Sequence, residues 1–304
     1  MKFSIVVPVY NVESYLDDCL TSLQVQDFSD FEVICVNDGS TDRSRDMLSE
    51  WKDRFPHMWV IDRENGGLSA ARNTGLAAAT GDYVVFVDSD DWVEPTMLSR
   101  LAAEANGEDT ICFACRKSNS GVTDTLVPEQ GDGWSYYNRH ALEHREVPFV
   151  CVWQRCYRRE FLLKNCLHFR EGILHEDNEF TPRACLKAKS VKVIPDILYN
   201  YRVRPGSIMT TRGLKSKESL IIIGNELSEL FAKEHGIDKT VAYQTLTQCY
   251  QMAFINNSRE EDRQLKPLVN WHCYRRISHT KTRHRVNYSL LRLSPTLYRF
   301  INQH

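Results

Sequence analysis

In the first hundred residues apolar side chains follow two patterns, short unbroken runs and stretches in which they return every third or fourth position. Phe3 to Val9, Phe31 to Val36, Met58 to Ile61 and Tyr83 to Val87 are runs rich in β-branched and aromatic residues. Strands without polar alternation are covered on both faces, as in a parallel sheet flanked by helices. Between the runs, Leu16, Cys19, Leu20 and Leu23 recur at helical spacing, as do Met47, Leu48 and Trp51, which marks one core-facing side of each helix. Gly39 permits a tight turn, and Ser40 or Thr41 is placed to cap a helix reaching Phe55. Asn65-Gly66-Gly67 opens a helix over Leu68 to Ala79, and Gly81 ends it. The repeated alternation predicts an α/β fold with right-handed crossovers and a mostly parallel sheet flanked by helices.

In such sheets ligands collect at the carboxyl ends of the strands, and that is where the acids fall. The first strand ends in Pro8-Val9-Tyr10-Asn11, the second in Asn37-Asp38-Gly39, and the fourth in Asp88-Ser89-Asp90-Asp91. Asp88 and Asp90 are two apart and point the same way if the strand pitch persists. One or both can then hold a hard divalent cation whose other positions stay open to phosphates and water. The competing reading is a solvated acidic turn before a helix near Glu94-Pro95. No Gly-x-Gly-x-x-Gly follows the first strand and no Gly-x-x-x-x-Gly-Lys is present, so phosphates would be held by metal and side chains.

Composition describes a folded globular protein, 304 residues with 42% hydrophobic and 26% charged content. Met1-Lys2 leads directly into the first strand rather than a signal-type core, and no window approaches the length of a membrane span, so a cytoplasmic location is expected. The ten cysteines are scattered, and Cys112-Phe113-Ala114-Cys115 has no second pair to complete a zinc site, so reduced buried thiols are expected. The formal charge of −2 conceals an asymmetry: residues 263–304 carry nine Lys or Arg and no acid, leaving 29 basic against 40 acidic residues before them. From about Gly213 the pattern turns helical, through Leu220 to Ile223, Leu227, Leu230 and Phe231, then Val241, Leu246, Tyr250, Phe254 and Ile255. Further on, Arg275, Arg276, Lys281, Arg283 and Arg285 accompany Tyr288, Leu290, Leu291, Leu293, Leu297, Tyr298, Phe300 and Ile301. That mixture suits an anionic leaflet, a partner-binding helix or a solvated tail, and nucleic acid is disfavoured because no binding motif accompanies the charge.

Val7-Pro8-Val9-Tyr10-Asn11, Val36-Asn37-Asp38-Gly39-Ser40-Thr41-Asp42, Glu64-Asn65-Gly66-Gly67-Leu68-Ser69-Ala70-Ala71-Arg72-Asn73 and Asp88-Ser89-Asp90-Asp91-Trp92 resemble, in order, the successive motifs of family 2 glycosyltransferases. Glu176-Asp177 and Tyr201-Arg202-x-Arg204-x-x-Ser207 extend the resemblance to about residue 210. It implies the GT-A nucleotide-sugar transferase fold, inversion at the anomeric carbon, and Mg2+ or Mn2+ on Asp88 and Asp90, with Asp91 in support. It also implies a nucleotide-sugar site of Pro8, Tyr10, Asn11, Asp38, Arg72 and Asp88. Tyr10 would pack on the base, Asp38 would accept from an imide N–H, and Arg72 would donate to carbonyls, a pattern that fits uracil and favours UDP. Asn37 departs from the aspartate commoner in the family.

Transfer to a hydroxyl needs a base, which the family pattern assigns to Asp177. Glu176 and Asp177 otherwise charge the first turn of a helix reading Phe180, Ala184, Cys185 and Ala188. Trp153 either stacks on an acceptor sugar or sits in the core. His175 is a weaker candidate for substrate contact or metal ligation. Arg202, Arg204 and Ser207 either close over a diphosphate or are solvated.

Together these readings describe a GT-A catalytic domain over 1–212, with a nucleotide half at 1–100 and an acceptor half at 101–212, and a helical, basic region over 213–304. The expected activity is hexosyl or N-acetylhexosaminyl transfer from a UDP-sugar to a hydroxyl of a glycan or a lipid-linked glycan in bacterial polysaccharide assembly, with a polyprenyl-diphosphate carrier and peripheral contact to the inner face of the membrane as the setting this opens. Sugar and acceptor specificity is expected in loops such as Lys117 to His144. The rival readings are a sugar-phosphate nucleotidyltransferase, which wants a Gly-rich loop where Pro8-Val9-Tyr10-Asn11 stands, and a non-catalytic scaffold, which would have lost metal or base residues.

Overall fold

A computed structural model of the chain describes residues 2–118, 123–124, 126–141, 149–203, 213–278 and 281–302. It divides into two compact units, one drawn from 1–137, 144–172 and 180–204, the other from 138–143, 173–179 and 205–304. The second therefore takes in two short segments, 138–143 and 173–179, that lie within the expected catalytic domain.

The first half of the first unit runs β1 (Phe3–Val9), α1 (Leu16–Gln24), β2 (Phe31–Asn37), α2 (Ser44–Arg54), β3 (Met58–Asp62), α3 (Leu68–Ala78), β4 (Tyr83–Phe86), β5 (Trp92–Val93) and α4 (Met97–Glu104). There follow β6 (Thr110–Lys117), β7 (Thr123–Asp124), β8 (Glu129–Gly131), α5 (Gly133–His140), β9 (Arg155–Arg158), α6 (Arg159–Lys164), α7 (Asp177–Lys187) and β10 (Val191–Tyr201). The strands form one sheet in the order β3-β2-β1-β4-β9-β6-β10-β5, with β7 beside β6 and β8 beside β10. The longer ladders, β1 with β2 and β6 with β10, are parallel, as are β2 with β3 and β1 with β4. The sheet is nonetheless mixed, because β9 enters between β4 and β6 antiparallel to both.

The unbroken apolar runs have the predicted cause. Phe3, Ile5, Val7 and Val9 join a core with Leu16, Leu20 and Leu23 of α1 and Leu48 and Trp51 of α2. Val6 points to the opposite face, where α3 packs so closely that a Cβ on Gly75 would collide with Val6 Cγ1. Both faces of β1 are thus covered, and no position on it is left for a polar residue in water. The expected cap by Ser40 or Thr41 is not made. Asp42 Oδ1 instead accepts from the Ser44 N–H at 2.9 Å at the start of α2, and Ser40 and Thr41 bond to Asn11.

The chain builds β2 and β3 on one side of β1 and then crosses to β4 on the other. That reversal opens a crevice at the carboxyl end of β1, the place where open α/β sheets bind ligands.

The second unit contains α8 (Leu214–Lys233), α9 (Lys239–Phe254), α10 (Arg259–Leu265), α11 (Trp271–Ser278), α12 (Thr282–Leu293) and α13 (Pro295–Asn302). Gly224 lets α8 close on α9, since a Cβ there would come 2.6 Å from the Tyr250 ring. Tyr243, Tyr250, Tyr274 and Tyr288 form an aromatic cluster joining α9, α11 and α12. Among the described residues no helix is long and apolar enough to cross a membrane.

Candidate active site

The crevice is walled by three strand ends. At the end of β1, Pro8 is buried opposite Val36, and Tyr10 emerges 48% exposed. Asn11 follows with φ 50°, a left-handed conformation that asparagine tolerates better than most residues. Its Oδ1 accepts from the Thr41 and Asp42 N–H groups at 2.8 and 3.3 Å, tying the β1 loop to the β2 loop.

At the end of β2 the Asp38 N–H bonds to Val9 O at 2.9 Å. The Asp38 carboxylate is 2% exposed at the residue level and gathers the Asn65-Gly66-Gly67 turn. Oδ1 accepts from Gly66 N at 3.0 Å and Oδ2 from Gly67 N at 2.7 Å, and Arg63 Nη1 also bonds to Oδ1. A carboxylate offers about four lone-pair positions, and these three donors leave about one, on Oδ2. Gly39, at φ 72°, is required here because a Cβ would lie 2.9 Å from Asn65 N. A base contact through Asp38 would have to use the remaining position.

Beyond β4 the three aspartates have different surroundings. Asp88 is half-buried and takes Arg72 Nη2 on Oδ1 at 2.6 Å. Arg72 is 1% exposed, with its guanidinium 5.3 Å from the Phe169 ring. In this arrangement Arg72 orients Asp88, whereas the sequence motif had directed it at base carbonyls. Asp91 is buried, accepting from Tyr199 Oη at 2.7 Å and from the Arg202 N–H at 2.7 Å. Burial, then the charges of Asp90 and Asp88, push the Asp91 carboxyl well above the usual carboxylate range, against the pull of its two donors. The Tyr199 hydroxyl also accepts from the Asp88 N–H at 3.1 Å, so one ring braces both ends of the loop. Asp90 is half-buried, and its carbonyl accepts from Arg202 Nε at 2.8 Å.

Arg202 is held in place by its neighbours. Its Nη2 bonds to Asp18 at 2.7 Å, and the guanidinium lies 4.7 Å from the Trp92 ring and 5.3 Å from that of Tyr15. Arg204 and Ser207 lie outside the described residues. Among the described residues no three His, Cys, Asp or Glu side chains cluster as a complete metal cage. The donor set at Asp88 and Asp90 is all oxygen and crowded with negative charge, which fits a Mg2+ or Mn2+ ion completed by phosphate and water.

Trp153 corrects the acceptor-platform expectation. It is 3% exposed and stacks on Tyr199 with centroids 4.3 Å apart and on Tyr201 at 5.5 Å. It is a core ring that holds β10 from within. Trp153→Ala is therefore expected to lower stability by about 3–5 kcal/mol, read as the unfolding midpoint in urea. A normal midpoint with a raised acceptor KM would restore the sugar-stacking role.

In the second unit, residues 173–179 present the other acids. His175 has φ 64°, and its Nε2 lies 2.7 Å from Ser216 Oγ on α8. Burial lowers the His175 pKa. The Leu174 N–H donates to Ser219 Oγ at 3.0 Å. Glu176 is buried, and Asp177, half-buried, is the first residue of α7. His175 is thus anchored as a packed residue by α8.

Tyr199, Arg63 and Tyr15 support the site but carry no mark in the local sequence, whereas Trp92 closes the aspartate motif. Only the alternation of aromatic and polar residues in Tyr199 to Val203 hinted at the first of them.

A sequence profile described as glycosyl transferase family 2 matches residues 4–165. EpsJ of Bacillus subtilis, an uncharacterized glycosyltransferase, is 39% identical over 215 residues, 67% of this chain and 62% of EpsJ. TarS of Staphylococcus aureus, a poly(ribitol-phosphate) β-N-acetylglucosaminyltransferase, is 30% identical over 211 residues, 67% of this chain and 36% of TarS. The chain thus spans less than two thirds of either relative's length. The crystal structure of residues 1–349 of S. aureus TarS in complex with UDP superimposes with a TM-score of 0.72 at 25% identity, covering 100% of this chain and 90% of that one.

Proposed function

Since the chain belongs to glycosyl transferase family 2, we propose that it is a metal-dependent, inverting glycosyltransferase. It moves a hexosyl or N-acetylhexosaminyl group from a UDP-sugar to a hydroxyl of a growing bacterial glycan. The acceptor is carried on a polyprenyl diphosphate at the inner face of the membrane, and peripheral association with that membrane is part of the same proposal.

The observation that carries the proposal is the crevice at the carboxyl end of β1, with Asp38 after β2 on one side and Asp88 after β4 on the other. Two strand spacings put these strand ends about 10 Å apart. That spread suits a ligand with a base at one end and a diphosphate at the other. Tyr10 and Asn11 lie between, with Pro8 fixing the strand end beneath them. UDP is favoured by the TarS complex and by the single acceptor position left on Asp38, which an imide N–H can fill.

In the proposed reaction the acceptor oxygen attacks the anomeric carbon opposite the diphosphate. A carbon–oxygen bond forms as the bond to the β-phosphate oxygen breaks, and its electron pair leaves on UDP. One in-line displacement inverts the anomeric configuration. Asp177 takes the hydroxyl proton, and the start of α7 favours its ionised form. Asp88 and Asp90 would hold the divalent cation, whose charge would neutralise that on the departing diphosphate. Arg72 fixes Asp88 beforehand, and Arg202, with Arg204 and Ser207, belongs to the donor side.

The test is a panel of UDP- and GDP-sugars incubated with glycan acceptors, reading nucleotide release and elongated product together. UDP release coupled to product is expected. Pyrophosphate release in a parallel incubation with a nucleoside triphosphate and a sugar 1-phosphate would indicate the nucleotidyltransferase instead, and no turnover in either assay would favour a scaffold.

A further inference from the structure

The carboxyl-terminal helices carry a surface that the transfer reaction does not use. On α12, His284, Tyr288 and Leu291 face inward. Val286, 51% exposed, and Leu293, 75% exposed, are seven residues apart and so share the opposite side. At 100° per residue, Arg283 flanks that apolar stripe on one side and Arg285 and Arg292 flank it on the other, all exposed. After Ser294 the pattern continues on α13, where Leu297, Phe300 and Ile301 stand exposed at i, i+3 and i+4, with Phe300 at 71%. Tyr298 and Arg299 of the same helix turn inward, Arg299 reaching Asp262 at 3.1 Å.

We propose that this side of α12 and α13 docks on an anionic lipid surface, with the apolar stripe in the headgroup boundary and the flanking arginines on lipid phosphates. An apolar stripe bordered by long cationic side chains is the arrangement of a helix lying in a membrane interface, because arginine stems cover apolar surface while their heads reach outward. Charge decides between lipid and protein as occupant: residues 263–304 contain nine Lys or Arg and no acid. A protein partner would ordinarily be met by charges of both signs, whereas an anionic leaflet rewards one sign alone. The proposal deepens the membrane setting of the proposed function and rests on that setting, but not on the chemistry of transfer.

The experiment uses the full chain with phosphatidylglycerol vesicles and with phosphatidylcholine vesicles, at low and high salt. Cosedimentation is measured for the native protein and for the Phe300→Ser/Ile301→Ser and Arg283→Ala/Arg292→Ala variants. All four side chains are exposed, and Arg292 gives up one hydrogen bond, to the Tyr288 hydroxyl at 3.1 Å, so thermal unfolding should change little and UDP binding not at all, and these also report separately on the nucleotide site. Native protein is expected to prefer anionic vesicles and lose affinity in salt. The arginine variant should weaken about fivefold per residue, and the apolar variant at least tenfold. Equal binding to neutral vesicles, no binding by native protein, or a native dimer that the apolar variant dissolves without any lipid effect would each overturn the proposal.

Discussion

Asp90→Asn leaves the protein folded and UDP-competent while transfer falls by about a thousandfold, the scale of losing a charge partner for a leaving diphosphate. Asp90 is half-buried at the rim, outside the apolar core. Burial first, and then the charges of Asp90 and Asp88, raise the pKa of the Asp91 carboxyl beside them. Replacing Asp90 with a neutral amide of the same size removes no core contact, so the unfolding temperature should hold. The assay compares product formation in the native enzyme and variant, with added Mg2+ or Mn2+ and with chelator. Undiminished transfer by Asp90→Asn, or by native enzyme in chelator, would remove the metal from the proposal.

The second large effect is expected at Asp177, where a base and a helix-end charge make different demands. Asparagine keeps the size of aspartate and most of its ability to accept hydrogen bonds at a helix start. What it loses is the favourable placement of a negative charge at the positive end of α7, about 0.3–1 kcal/mol. If Asp177 takes the acceptor proton, Asp177→Asn should lower transfer by about a hundredfold or more with nearly normal stability and UDP affinity. Slow donor hydrolysis should survive, because Asp38, Asp88 and Asp90, the residues proposed to hold nucleotide and metal, are unchanged. Glu176→Gln, made in parallel, separates the neighbours, since Glu176 is buried and its carbonyl closes the first turn on the Glu179 N–H at 3.0 Å. A dead Glu176→Gln beside an active Asp177→Asn would move the base by one residue. Full activity in both would leave the pair with a purely structural role.

Local pattern was enough for the strands and helices around the site, because covering both faces of a strand requires an unbroken apolar run and covering one side of a helix requires its period. It also located Asp38 and Asp88 at strand ends, since a run such as Tyr83 to Val87 can only stop where it leaves the core. The reach of side chains was another matter. Trp153 is a core ring because β10 returns Tyr199 and Tyr201 beneath it, and nothing within several residues of a tryptophan distinguishes a sugar platform from a packed indole. Arg72 turns to Asp88 because α3 packs against the sheet through its small residues, burying a guanidinium whose charge the carboxylate then meets. β9 was not legible, since Arg155–Arg158 is four residues long and flanked by arginines, and its antiparallel place comes from the gap it fills between β4 and β6. The sequence by itself determined which segments are buried and that the acids stand at strand ends, since both follow from local hydrophobicity. Only the tertiary structure decided which side chains brace the aspartates, because a bond such as that between the Asp88 N–H and Tyr199, 111 residues apart, depends on where the sheet brings β10.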